Sequence, residues 1–447
     1  MNLDADPVKT NQTHLLEKSR SLLGWPLIQK ALASYACSPV TINLCKSLIP
    51  HSDIHSSNND LDKTTEMVEL LSGGHLFPIN PFDDFLPIIK EAKEREILGS
   101  FKCLSVLKLL RIIRNVHNSI EKKIEFPLLK LLSNDLDPLP SLFKELEKCI
   151  DDEGEIKDNA SPELKQAIRE VTSAKQKLES KVEKIFLGEV YKEAIQDSYH
   201  TEREGRIVIP VKSEKRSQIE GIVHDSSGSG QTLYVEPSSI VPLNNQLKIN
   251  RLTVEREKKN ILQSLTRQVI DAGESISSSM KTLVEMDFIH ARARLAKSMQ
   301  AIQCPIELGG KLQLNNALNP ELILNGHNVI PNDINWDQST HVIIISGPNT
   351  GGKTVTLKTV GLMSLMARAG LFLPVGKGSK IPFYPEVYAD IGDDQNIELS
   401  LSTFSAHLKK IIHIINHAAS GSLILLDELG IATDPQEGAS LAEAVLT

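Results

Sequence analysis

Eight consecutive residues, Gly347-Pro348-Asn349-Thr350-Gly351-Gly352-Lys353-Thr354, satisfy the spacing G-x-x-x-x-G-K-[ST]. Glycines let main-chain N–H groups close around phosphate oxygens, and a helix starting there adds the positive end of its dipole. In such a loop the lysine reaches the terminal phosphates and the hydroxyl ligates magnesium, so Lys353 and Thr354 point to binding of ATP with Mg2+. The competing reading is a Gly-rich turn without nucleotide. The flanks argue against it, because an apolar strand pattern, THVIIIS, precedes the loop and a helical pattern, KTVTLKTVGLMSLMARAG, follows.

A second signal, SLILLDE, is an apolar strand ending in two acids. At the carboxyl edge of that strand Asp427 is the candidate magnesium carboxylate, and Glu428 the group that polarises the attacking water, with Lys353 as its catalytic partner. Taken alone, an acidic pair after a strand is more often a turn with an exposed carboxylate. The loop upstream turns the reading towards an ATPase.

Residues from about 304 onward alternate strand and helix: THVIIIS as a buried strand, KTVTLKTVGLMSLMARAG as a helix, EVYADIG as a strand, STFSAHLKKIIHIINHAA as a helix, then SLILLDE and a closing helix QEGASLAEAVLT. Ahead of this α/β text lie two arms. One helix begins at Ser161-Pro162, a cap followed by proline at the first helical position, and runs towards Tyr199. About 38 residues at 1.5 Å each predict roughly 57 Å. A second charged helical stretch covers about 244–300. Between them RIVIPVK, IEGIVHD and QTLYVEP read as a small sheet at the tip. Arg203, Arg206, Lys212, Lys215 and Arg216 cluster there as candidate phosphate contacts, with an ordinary lysine-protected sheet edge as the equal alternative. Residues 13 to about 158 read as short amphipathic helices broken by turn residues.

The expectation is therefore a multidomain protein: a helical core domain (1–158), lever helices with a β-rich clamp-like tip (159–303, the tip about 201–240), and an incomplete α/β P-loop ATPase domain (304–447). A length of 447 residues and a composition of 40% hydrophobic and 24% charged residues suit several globular cores, and the 4% aromatic share suits helices packed through Leu and Ile. No apolar run approaches the roughly 18 residues of a membrane span, which predicts a cytoplasmic protein without membrane contact. Cys37, Cys45, Cys103, Cys149 and Cys304 are scattered, with no CxxC pair, and read as reduced thiols. With a net charge of −8, nucleic acid must be met by a local basic patch.

The segments GPNTGGKTVTLKTVGL, IGDDQNIELSLSTFSAHLKKI and LILLDELGIATDPQEG resemble the ATPase of the MutS family, and TEREGRIVIPVK, GIVHDSSGSGQTLYVEP and LNNQL resemble its MutS-two type, the branch lacking the mismatch-recognition domain. The resemblance spans nearly the whole chain. It implies a homodimer with composite ATP sites, in which Ser402 and Thr403 face the partner's γ-phosphate while Asn349 and Gln395 sit near the local nucleotide and its water. By the residues alone, Ser402 and Thr403 read as helix caps. It also implies arms that embrace double-stranded or branched DNA, suppression of recombination, and in some members rescue of collided ribosomes. Two stretches depart from the family pattern: Gly430-Ile431-Ala432-Thr433 replaces Gly-x-Gly-Thr, and Ala317-Leu318-Asn319-Pro320 replaces Ala-Arg-His-Pro. Against the family, the chain stops before the strand that lies between the phosphate-loop strand and the acid-bearing strand, and before the dimerising helices and nuclease module. The expectation is a truncated chain, or one completed by a separate polypeptide, whose sheet has a gap.

Overall fold

The computed structural model describes residues 7–348, 351–392, 400–427, 440 and 442–445, with the side chains of 7–11 and 400–407 outside that description. The chain is mostly helical with small sheets. Helices α1 (Pro7–Leu22), α2 (Trp25–Ala33), α3 (Pro39–Lys46), α4 (Ile54–Ser72), α5 (Leu86–Arg95), α6 (Ser100–Ile120), α7 (Pro127–Ser133) and α8 (Pro140–Cys149) come first. Helix α9 (Pro162–Leu187) leads into strands β1 (Thr201–Arg203), β2 (Arg206–Lys212), β3 (Gly221–Ser226) and β4 (Thr232–Pro237), and α10 (Val241–Asp271) and α11 (Gly273–Ser298) follow. The remainder runs β5 (Ile306–Glu307), β6 (Leu312–Ala317), α12 (Pro320–Leu324), β7 (Asn332–Trp336), α13 (Lys353–Arg368), β8 (Ile381–Pro382), β9 (Val387–Asp390), α14 (Ser400–His417) and β10 (Leu423–Leu426).

Two compact units emerge, one from Met1–Asp84, Ile112–Asp137 and Ser277–Thr447, the other from Phe85–Arg111 and Pro138–Ile276. In the first, one core takes Trp25, Ile28 and Leu32 from α2, Ala291 and Leu295 from α11, and Val360, Leu362 and Met366 from α13. From Thr359 to Arg368 every residue of α13 is buried, which is why its sequence lacks a polar face. Gly361 is required by this crowding: a Cβ there would lie 2.5 Å from a Leu425 methyl and 2.6 Å from one of Leu23.

In the second unit α9 and α10 pack along each other, with Leu164, Ala167, Ala174, Leu178, Val182 and Ile185 of α9 buried at steps of three, four or seven. Ser161 accepts from Leu164 N and caps α9, with Pro162 at its first position. The helix stops at Leu187, twelve residues short of the expected Tyr199, because the next stretch folds back onto the sheet: Ala194 and Ile195 are buried with Leu178 and Val182 of α9 and with Ile207, Ile209 and Val211 of β2. By rise per residue the arm is then about 39 Å. The four strands are ordered β1-β2-β4-β3, all antiparallel. The second charged stretch is two helices, α10 and α11, separated at Ala272.

Two of the strands expected from 304 onward form, as β9 and β10, paired in parallel with Leu423 opposite Val387 and Leu426 opposite Asp390. THVIIIS does not. Residues 341–346 carry no strand and are exposed, Ile344 at 76%. No strand among the described residues hydrogen-bonds to this run, and an apolar run without a ladder partner has neither its backbone groups satisfied nor a face covered. The closing helix QEGASLAEAVLT lies largely outside the described residues, which hold helix at 440 and 442–445.

Candidate nucleotide site

The phosphate loop leads into α13 through Gly352, whose φ of 81° is the left-handed conformation that glycine adopts without a Cβ penalty. Gly351 N donates to Pro348 O at 2.9 Å, and Thr356 closes the first helical turn on Gly352 O with its N–H and its hydroxyl. Lys353 Nζ donates to Gly347 O at 2.6 Å, so its ammonium lies over the loop's own main chain. Gly352 and Lys353 thus stand at the start of a helix, where free main-chain N–H groups and the positive end of the dipole favour an anion.

Across from it, β10 continues the ladder by one bond, Asp427 N to Asp390 O at 3.0 Å, which sets Asp427 at the strand's carboxyl end. Thr354 Oγ1 donates to Asp427 Oδ2 at 2.5 Å. Two residues 73 positions apart are brought together as a pair of hard oxygen donors, a set that fits Mg2+. Asp390, a buried carboxylate at the end of β9, receives Lys410 Nζ of α14 at 3.4 Å. EVYADIG is legible as a strand, but nothing in its spacing signals that its acid would stand beside Asp427. Asn349, Thr350, Gln395 and Glu428 lie outside the described residues. Ser402 and Thr403 fall within the first turn of α14, with their side chains outside the description.

Asn319, in the stretch where the family pattern differs, is 4% exposed. Its Oδ1 accepts from Leu322 N and caps α12, and its Nδ2 donates to Thr359 Oγ1 of α13 at 2.9 Å. It fastens the helix that carries the loop. The Asn-Pro pair signals the cap, whereas the reach to Thr359 is tertiary.

At the sheet-bearing tip the basic cluster is largely consumed internally. Arg206 pairs at 2.7 Å with Glu236, which is fully buried and also receives His224 and Asn244. Asn244, from the LNNQL segment, bridges Ile207 N and O, so this network fixes the start of α10 to β2. Arg203 pairs with Asp225 at 2.9 Å and lies over the Tyr234 ring, Arg216 donates to the carbonyls of Ile219 and Gly221, and Lys215 faces Glu193 at 3.6 Å. Of the five, Lys212 has no ion pair among the described residues.

A basic surface that the sequence does not single out lies on α9. Lys177, Lys181 and Lys184, at steps of four and three, line an open groove of about 450 Å³ together with Ser173, Gln176, Ser180 and Leu243. None of the three has an ion pair among the described residues. Their spacing is plain in the sequence, but lysines on a helix facing solvent are the common case, and only the wall supplied by α10 makes a groove.

Among the described residues no helix is long and apolar enough to cross a membrane. Residues 343–447 match the family model for MutS domain V. Three relatives named Endonuclease MutS2 match almost the whole chain: that of a Geobacillus species (strain WCH70) is 38% identical over 442 residues, 98% of this chain, that of Alkaliphilus oremlandii 35% identical over 433 residues, 96% of it, and that of Clostridium beijerinckii 37% identical over 435 residues, also 96%. In each case the match covers 55% of the relative, so the chain spans about half the length of the curated relatives it matches. Arms, β tip and phosphate loop all lie within the matched stretch, and the chain belongs to the MutS family, in its MutS2 branch.

Proposed function

We propose that this chain is an ATP-dependent DNA-binding protein of the MutS2 type, which hydrolyses ATP to control its grip on double-stranded or branched DNA and so suppresses recombination. The observation that carries the nucleotide part is the 2.5 Å approach of Thr354 Oγ1 to Asp427 Oδ2 directly behind the phosphate loop. Main-chain amides of 347–352, with Asn349 and Thr350, would surround the phosphates, and Lys353 would move from the Gly347 carbonyl to the terminal phosphate oxygens. Thr354 and Asp427 would hold Mg2+, which when bound neutralises charge on the β- and γ-phosphates. Glu428 would orient and deprotonate the attacking water, Gln395 would steady that water, and Ser402 and Thr403 would reach the γ-phosphate bound by a second copy in a homodimer. The functional division follows the sequence: core 1–158, levers and tip 159–303, ATPase 304–447, in the cytoplasm.

The test is equilibrium binding of a fluorescent ATP analogue with and without Mg2+. Lys353→Ala is expected to weaken binding by tenfold or more, the equivalent of about 1.4 kcal/mol, the strength of one charge-assisted hydrogen bond. Asp427→Asn is expected to abolish the Mg2+ enhancement while leaving metal-free binding in place. Equal affinity of wild type and Lys353→Ala would reject the site. A second reading, nucleotide binding without turnover, is favoured by the exposed run 341–346, since the strand that should steady the loop has no ladder partner among the described residues. Steady-state phosphate release from the wild-type chain separates the two.

A further inference from the structure

Far along the chain from the phosphate loop, in the same compact unit, three side chains of different chemistry converge. Asp287 and His290 sit three residues apart on α11 and therefore share one face of the helix. Cys37 belongs to the segment just before α3. One ligand atom from each, the thiol sulfur, a carboxylate oxygen and an imidazole nitrogen, all lie within 4.8 Å of one another. Asp287 is fully buried and holds the Cys37 segment in place, accepting from Cys37 N with both oxygens and from Ser38 N, each at 3.0 Å. His290 is 8% exposed, and its Nδ1 has no hydrogen-bond partner among the described residues.

A buried imidazole nitrogen without a partner is unfavourable unless something fills it. Its ring packs against Phe77 at 5.3 Å between centroids, so it is held rather than free to swing. Sulfur, nitrogen and one hard oxygen are the donor mixture of a zinc-type ion, and they differ from the all-oxygen pair at Thr354 and Asp427.

We propose that Cys37, Asp287 and His290 form a binding site for a divalent transition-metal ion of the zinc class, tying the segment before α3 to α11. Three protein ligands leave the fourth tetrahedral position to water or an exogenous donor. On binding, the Cys37 S–H bond breaks, its proton passes to solvent, and a sulfur–metal bond forms, with no change of oxidation state. Thiolate and carboxylate together balance the ion's two charges.

Cobalt(II) reports such a site directly, since a cobalt–thiolate bond gives a charge-transfer absorption that oxygen ligands at the nucleotide site cannot produce. Titration of the metal-stripped full chain with Co2+ is expected to give that band saturating at one equivalent and displaced by Zn2+. Cys37→Ser should abolish the band, and His290→Ala should weaken Co2+ binding by at least about tenfold, the scale on which even outer ligand partners act. If the band is missing from the wild-type chain, or persists in Cys37→Ser, the site is refuted. Should a variant fold poorly, the wild-type chain still decides: Zn2+ is expected to slow alkylation of Cys37, located by peptide mass spectrometry, and an unchanged rate would overturn the proposal.

Discussion

At the scale of single residues, the unit that carries the nucleotide loop is pinned by a charged junction. Asp60 of α4 receives Arg292 of α11 and His51, both at 2.7 Å, and His51 O in turn accepts from Arg368 at the end of α13. Burial pushes the Asp60 pKa upward, but the His51 hydrogen bond and the charge and hydrogen bond of Arg292 outweigh it and hold the carboxyl at about 2. Because the folded value lies below the ordinary one near 3.9, the linked stability is fully present above about pH 4 and is lost as pH falls through about 2. The linked contribution is about 2 kcal/mol. Urea unfolding of wild type and Asp60→Asn across this range checks it: their stability difference is expected to shrink by that amount from pH 4 to pH 2, and a constant difference would contradict it. Arg368, mostly buried, is lowered by desolvation to about 10 and remains a cation at neutral pH.

Among the elements, α13 does most to position the site, since its first residue is Lys353 and its second half is buried on every side. The approach of β10 to this helix passes through Gly361, against Leu425 and Leu23, which are 5% and 0% exposed and have little room to turn. Gly361→Ala adds helix propensity worth about 1 kcal/mol, yet overpacking of a filled core costs about 1–3 kcal/mol. A net loss of up to about 2 kcal/mol in chemical denaturation is therefore expected, together with weaker Mg2+-dependent nucleotide binding as β10 and Asp427 are pushed away. Stabilisation would show that the leucines can yield. The same helix illustrates legibility. Its start is readable from the Gly-Lys-Thr signature and its interior from the largely apolar run Val360–Ala367, whereas the glycine at 361 carries no local signal, because its reason is a strand some sixty residues downstream.

For the whole molecule, a net charge of −8 requires that any contact with nucleic acid be local. Most of the cations clustered at the tip are engaged by Glu236, Asp225, Glu193 and main-chain carbonyls, while Lys177, Lys181 and Lys184 are not. Replacing these three by Gln is expected to weaken duplex DNA binding and to lower the slope of log affinity against log salt by roughly 0.9 for each phosphate that is no longer neutralised. An unchanged slope in a salt titration would remove the α9 groove from the DNA surface. Residue order was enough to specify the glycine-rich turn into α13, the apolar strand that ends at Asp427, the capped start of α9, the small sheet that follows it and the family, because each is written in short-range spacing that local geometry obeys. Folding in three dimensions was needed to settle that Thr354 meets Asp427, that Arg206 serves a buried network instead of a surface, that α9 ends at Leu187 because Ala194 and Ile195 fold back beneath it, and that the apolar run 341–346 stays outside any ladder among the described residues. The physical reason is common to all four: a propensity belongs to a segment, but a partner belongs to the fold, and whether an apolar run becomes a strand or a cation becomes a ligand depends on what is brought to lie beside it.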